Sequence, residues 1–307
     1  MQILDAQQTH ERLPFPALIE ALRAMFRTGC EAPPRHVHEI GGAEGGVSLI
    51  MPAWQPGGLY GVKTVNVFPG NRARGLPGLF ATYQLFDATT GQPLALLDGN
   101  QITARRTAAS SALAASFLAP ANAHTLLVVG CGRVGSLLPE AYRAVRPIER
   151  VLAWNPSPEP AQRLAARCRA LGLQAEAVTD LAAAAAQADV VACATLATEP
   201  LIRGAWLRPH AHLDLIGSFT PAMREADDDC WRGAAFFVDT PEALKKSGDL
   251  LGPLARGVIR AEALGADLAQ LVRGEAAGRT AASGRTVFKS VGFALEDLAA
   301  AALAYRA

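Results

Sequence analysis

The feature that most restricts how this chain can fold is a change of texture at Thr125. From there, "TLLVV" leads into "GCGRVG" and a helical pattern, then "RVLAW" into "PAQRLAARCRALG". "LQAEAV", "DLAAAAAQA", "DVVACAT", "HLDLIGSF" and "AFFVD" follow. Strands alternating with helices at this spacing predict an α/β architecture, a Rossmann-type, doubly wound parallel sheet. Gly130, Gly132 and Gly135 stand directly after its first strand in the spacing G-x-G-x-x-G. The first glycine permits a tight turn, the second a close backbone approach to a pyrophosphate, and the third close packing of helix on strand. A dinucleotide is therefore expected on the loop that also contains Arg133 and Val134. Pro139 is the irregularity, since proline kinks an ordinary helix interior.

The residue that usually separates NAD from NADP is an acid about twenty positions on, which binds the ribose 2′-hydroxyl. The second strand ends here in "WNPSPEP", with Asn155 and Ser157 and no carboxylate before Glu159. Without an acid to repel a 2′-phosphate, NADP(H) is the expected cofactor and NAD(H) the alternative, with Arg133 and Ser157 as phosphate contacts.

The first hundred residues read differently. A helix pattern over Pro16–Thr28 precedes the strand-like runs "VSLIMPAW", "YGVKTVNVF", "GLFATYQLFD" and "PLALLDG", separated by Gly, Pro and Asn turn signals. These predict an α+β domain with a meandering sheet. Within "LYGVKTVNV", period two puts Leu59, Gly61, Lys63, Val65 and Val67 on one face. Lysine is rarely buried without a partner, so Lys63 either runs its amine along an edge to water or projects into a pocket that holds an anion. The helix "TARRTAASSALAASFLA" carries Thr103, Arg105, Arg106 and Thr107 in its expected first turn, where the dipole disfavours cations. An anion shared with the helix terminus would account for them, and arginine suits a bidentate hold on carboxylate. The chain closes in "ALEDLAAAALAY", expected to be an amphipathic helix.

Composition narrows the partners. The 307 residues are 50% apolar, and 29 Lys+Arg against 28 Asp+Glu leave a formal charge of +1. That balance gives no reason to expect nucleic acid or an anionic membrane and favours a small-molecule ligand. Cys30, Cys131, Cys168, Cys193 and Cys230 are odd in number and form no C-x-x-C pair, which fits a reducing cytoplasm. No signal-peptide pattern opens the chain, and its apolar stretches are too interrupted to predict a membrane helix. His10, His36 and His38 do not make a metal-ligand set, so no metal is expected.

Lys63, the Arg–Thr helix and the glycine fingerprint occur in an order that resembles the ornithine cyclodeaminase/μ-crystallin family. The resemblance runs nearly end to end through "PPR" ending at Arg35, "MPA" (51–53), "GVKTVN" (61–66), "ITARRTAASSALA" (102–114) and "GCGRVG" (130–135). It continues through "GSFTPAMRE" (217–225), "FVDTPEALKKSGDL" (237–250) and "TVFKSVGFALEDL" (286–298). It implies a homodimer in which residues 1–112 plus 287–307 form the substrate and dimerisation domain, with a nucleotide domain, 113–286, inserted. It implies that Arg35, Met51, Lys63 and Arg106 meet the substrate. Thr107 and the 130–135 loop would meet pyrophosphate, and Thr195, Ser218, Lys289 and Val291 the nicotinamide end. The activity implied is NAD(P)H-dependent reduction of small cyclic imino acids, with ornithine cyclodeaminase, alanine dehydrogenase and a crystallin-like binding protein as alternatives. Phe219 stands where the cyclodeaminases of this family carry an aspartate, and Lys289 departs from them likewise.

Overall fold

The computed structural model describes residues 1–42 and 45–307, the side chain of Arg72 excepted. The chain divides into two compact units, Met1–Arg106 with Phe293–Ala307, and Thr107–Gly292.

The first unit begins with β1 (Gln2–Leu4), α1 (Ala6–Glu11) and α2 (Phe15–Thr28). Pro16 lies in the first turn of α2, where its missing N–H costs nothing, and Gly29 ends the helix with φ 78°. Leu18, Ile19, Leu22, Met25 and Phe26 fall on one stripe, and all are buried. A meander follows: β2 (His36–Ile40), β3 (Gly46–Trp54), β4 (Leu59–Val67), β5 (Leu79–Asp87) and β6 (Pro93–Asp98). The sheet order is β1-β6-β5-β4-β3-β2, antiparallel except where β1 joins β6.

Helix α3 (Gly99–Leu118) contains the boundary between the units. It begins four residues before the start expected at Thr103 because the Asp98 carboxylate accepts the Gln101 N–H at 2.7 Å. Arg105 and Arg106 therefore lie in the second turn, beyond the orphan N–H groups, and the dipole argument does not apply to them.

The second unit alternates β7 (Thr125–Val129), α4 (Leu138–Arg143), β8 (Arg150–Trp154), α5 (Pro158–Ala170), β9 (Gln174–Ala177), α6 (Leu181–Ala185), β10 (Val190–Cys193), β11 (His212–Leu215) and β12 (Ala235–Val238). It continues with α7 (Ala243–Lys246), α8 (Gly248–Ala255), β13 (Leu264–Asp267), α9 (Leu268–Arg273) and β14 (Thr286–Lys289). Its eight strands are all parallel, in the order β13-β12-β14-β11-β10-β7-β8-β9. Val190–Cys193 of β10 are buried throughout, as a strand covered on both faces must be. Pro139 causes no kink: a 3₁₀ turn precedes it, and it sits in the first turn of α4.

The last helix, α10 (Ala294–Arg306), returns to the first unit and packs on α2, β3, β4 and β5. It is not amphipathic. Its buried residues run from Ala294 through Ala302, including Glu296 and Asp297.

Candidate active site

Lys63 points inward from β4. Its cross-strand neighbours are Met51 on β3 and Tyr83 on β5, so the three form one row across the sheet, all buried. Gly61, two residues before Lys63 on the same face, is the space Tyr83 needs: a Cβ there would lie 2.1 Å from the phenol oxygen.

What meets Lys63 is Asp297. The Nζ stands 2.6 Å from Asp297 Oδ2, and both side chains are essentially shut from solvent. Arg106 joins from α3, its Nε donating to Asp297 Oδ1 at 2.8 Å and its Nη1 to Glu296 Oε2 at 2.5 Å. Burial lowers the Lys63 pKa to about 8, Asp297 pulls it upward, and Arg106 and then Arg35 push it further down. Arg35, Met51, Lys63 and Arg106 thus come together, and both arginines lie close enough to act on the lysine. The anion of Arg106 is the protein's own. Arg105 donates its Nε to Leu13 O at 2.7 Å, and its guanidinium lies over Phe15, 4.3 Å from the ring centre.

Sequence reasoning alone misses Glu296 and Asp297. The signal is present: two adjacent acids in a helix that is otherwise alanine and leucine until Tyr305 and Arg306 in its last turn, which leaves no polar face to carry them.

Cations from three parts of the chain, Arg35, Lys63 and Arg106, converge on this cluster, and the planar guanidinium of arginine suits a small carboxylate as ligand. A lysine poised near neutrality beside it is suited to proton transfer.

The second unit carries the glycine loop, and its geometry fits a dinucleotide. Gly130 has φ 91°, a conformation that side chains resist. A Cβ on Gly135 would fall 1.8 Å from Gly130 O, so the third glycine lets the turn close. Nothing stands within 4 Å of a Cβ on Gly132, which leaves its backbone open to a phosphate. Asn155 fastens the loop to the end of β8, its Oδ1 accepting from Cys131 N at 3.1 Å and its Nδ2 donating to Ser157 Oγ at 3.1 Å. Arg133 and Ser157 are exposed beside it, Val134 is half-buried, and Thr107 is half-buried on α3.

Thr195, just beyond β10, would meet a Cβ on Gly130 at 2.7 Å. Ser218 and Lys289 stand at the neighbouring strand ends, but their side chains turn into the unit. The Ser218 hydroxyl donates to Met223 O at 2.6 Å, and Lys289 Nζ donates to Leu215 O at 2.8 Å. The Val291 N–H donates to Asp239 Oδ2 at 2.8 Å. Phe219 is 43% exposed. Among the described residues no group of three or more His, Cys, Asp or Glu is arranged to hold a metal, and no helix is long and apolar enough to cross a membrane.

Comparison with known proteins follows the same lines. The chain is 42% identical over 300 residues to a Delta(1)-pyrroline-2-carboxylate reductase of Paracoccus denitrificans, covering 97% of this chain and 94% of that one. It is 34% identical over 316 residues to the ketimine reductase mu-crystallin of Rattus norvegicus, covering 98% and 96%. Its fold superposes on the Thermococcus litoralis Delta(1)-pyrroline-2-carboxylate reductase, solved in complex with NADH and L-proline. The TM-score is 0.93 and the identity 32%, over 100% of this chain and 97% of that one. Residues 3–307 match the family model, and the chain belongs to the ornithine cyclodeaminase/mu-crystallin family.

Proposed function

We propose that the protein is an NAD(P)H-dependent reductase of small cyclic imino acids. It converts 1-pyrroline-2-carboxylate to L-proline and accepts the six-membered 1-piperideine-2-carboxylate as a second substrate. The observation that carries this reading is the buried Lys63, held at the edge of neutrality beside Asp297 and Arg106. Relatives of this chain bear the names of such reductases.

The chemistry follows from charge. Arg35, with the part of Arg106 not bound to Glu296 and Asp297, receives the substrate carboxylate. Lys63 donates a proton to the ring nitrogen, which turns a poor electrophile into an iminium; the lysine regains its proton from solvent. A nicotinamide held by the 130–135 loop, Thr107, Asn155 and Thr195 supplies the hydride for C2. The product is a secondary amine with its carboxylate intact.

NADP(H) is the preferred cofactor, because no carboxylate stands at the end of β8 to repel a 2′-phosphate, and Arg133 and Ser157 are exposed beside it. The working form is a cytoplasmic homodimer, which light scattering and fractionation would check; the five cysteines, all free, suit a reducing compartment.

The test is purified protein with each reduced cofactor and a panel of imines. Reduction of 1-pyrroline-2-carboxylate, with little ammonia released from L-ornithine, is the expected result. Ornithine cyclisation needs an acceptor for the distal amine, and Phe219 has none. Robust proline formation from ornithine would make the protein a cyclodeaminase. Turnover of pyruvate with ammonia would make it an alanine dehydrogenase, and cofactor binding without any turnover would make it a binding protein.

A further inference from the structure

Beneath the carboxyl ends of β10 and β11 lies a carboxylate that this reaction does not use. Glu225 is fully buried, yet it accepts three hydrogen bonds from two different loops. Oε1 takes the Thr195 N–H at 2.7 Å and the Thr195 hydroxyl at 2.8 Å, while Oε2 takes the Gly217 N–H at 2.7 Å. Thr195 follows β10 and Gly217 follows β11, so a single side chain joins the outlets of two adjacent parallel strands.

The surroundings are built for that contact. A Cβ on Gly217 would fall 2.4 Å from Glu225 Oε1 and 2.0 Å from Thr195 O, so only glycine lets the strand outlets come this close. The backbone of Glu225 is fixed in turn: its N–H and that of Ala226 both donate to Asp249 Oδ1, at 2.9 and 3.1 Å. Lys289 Nζ lies 3.9 Å from Asp249 Oδ2 and supplies a positive charge beneath the two acids. A carboxylate can serve three donors with two acceptor oxygens; an amide cannot, since it has one acceptor and one donor end.

We propose that Glu225 is a positioning residue of the cofactor site, a clasp that holds Thr195 and the Gly217–Ser218 turn in place for the nicotinamide end of the bound cofactor. This rests on the reading above of Thr195 as a cofactor contact. Thr195 is the member of the clasp that reaches the fingerprint, because its methyl group, together with Ala194 O, confines Gly130. Lys289 acts from below, through Asp249, and not as a ligand to the cofactor.

The experiment compares Glu225→Gln with wild type in three readouts: the KM for NADPH, the KM for the pyrroline substrate, and the thermal midpoint. Loss of one charge-assisted contact should raise the KM for NADPH by about tenfold or more, with the imine KM nearly unchanged. An unaltered NADPH KM overturns the proposal, as does a loss shared equally by both substrates, which would mark a merely structural role. Amide hydrogen exchange on the unmodified protein provides the second arm. The Thr195 and Gly217 amides should be strongly protected, and rapid exchange at either would overturn the clasp whatever the variant does. Wild type that binds neither NADPH nor NADH would overturn the cofactor reading and this proposal with it. Wild type that binds, with Glu225→Gln binding equally well, overturns the clasp alone.

Discussion

Lys63 on the fourth strand and Asp297 on the last helix face each other at 2.6 Å with almost no access to solvent. The pair spans 234 positions of sequence (297 − 63) and places the only lysine of the row Met51–Lys63–Tyr83 against the helix that closes the unit. Buried pairs of this kind cost desolvation, and replacing them by apolar residues often stabilises a protein. A pair kept at that cost is explained by what it does.

Lys63→Met should remove the proton donor while filling nearly the same space. A positioned general acid contributes roughly 100- to 10,000-fold, so kcat should fall by about that factor. Cofactor binding, measured by quenching of intrinsic fluorescence, should be unchanged. Near-wild-type kcat would remove Lys63 from the mechanism.

The pH profile follows from the depressed pKa of Lys63, about 8. The lysine must be protonated to act as the acid, so kcat/KM for imine reduction should be level below that value and fall as pH rises through it. Asp297 raises this pKa. Asp297→Asn should therefore move the falling limb to lower pH, and a limb that stays in place or moves up would contradict the assignment.

Arg106→Lys should damage both stability and activity. One ammonium cannot bond Glu296 and Asp297 as the planar guanidinium does, so a buried acid loses its partner. Breaking a buried pair from one side costs about 3–5 kcal/mol, which urea unfolding would register as a lower midpoint. An unchanged midpoint would show that the three-way contact is dispensable.

Asn155→Asp tests the cofactor preference. The change keeps an acceptor for Cys131 N, loses the donor to Ser157, and adds a charge that repels a 2′-phosphate while binding a ribose hydroxyl. The ratio of kcat/KM for NADPH over NADH should fall by about tenfold. A wild type that uses both cofactors equally would defeat the premise.

Much of this is legible in the chain because it is local. The parallel sheet announces itself through alternating patterns, and the glycine fingerprint through spacing, since each depends on residues a few positions apart. The period-two face of β4 likewise singles out Lys63. Four short strands, Gln2–Leu4, His36–Ile40, Leu264–Asp267 and Thr286–Lys289, lack that clarity. So few residues hold too little pattern: the first three are strands because a neighbour offers a free edge, and Thr286–Lys289 because it is paired on both sides, between β11 and β12.

The charges are decided elsewhere. Sequence places two arginines at a helix start and implies an external anion, but Asp98 moves that start back to Gly99, and the anions prove to be Glu296 and Asp297. The same packing makes the last helix buried on nearly every side, although its composition suggests one wet face. Periodicity and spacing are properties of neighbours along the chain, and the sequence by itself determined what rests on them: two fold textures, a nucleotide loop and one misplaced lysine. Which charge neutralises which depends on groups some 190 residues apart meeting in a low-dielectric interior. Only the tertiary structure decides that, because an ion pair has no signature in either partner alone.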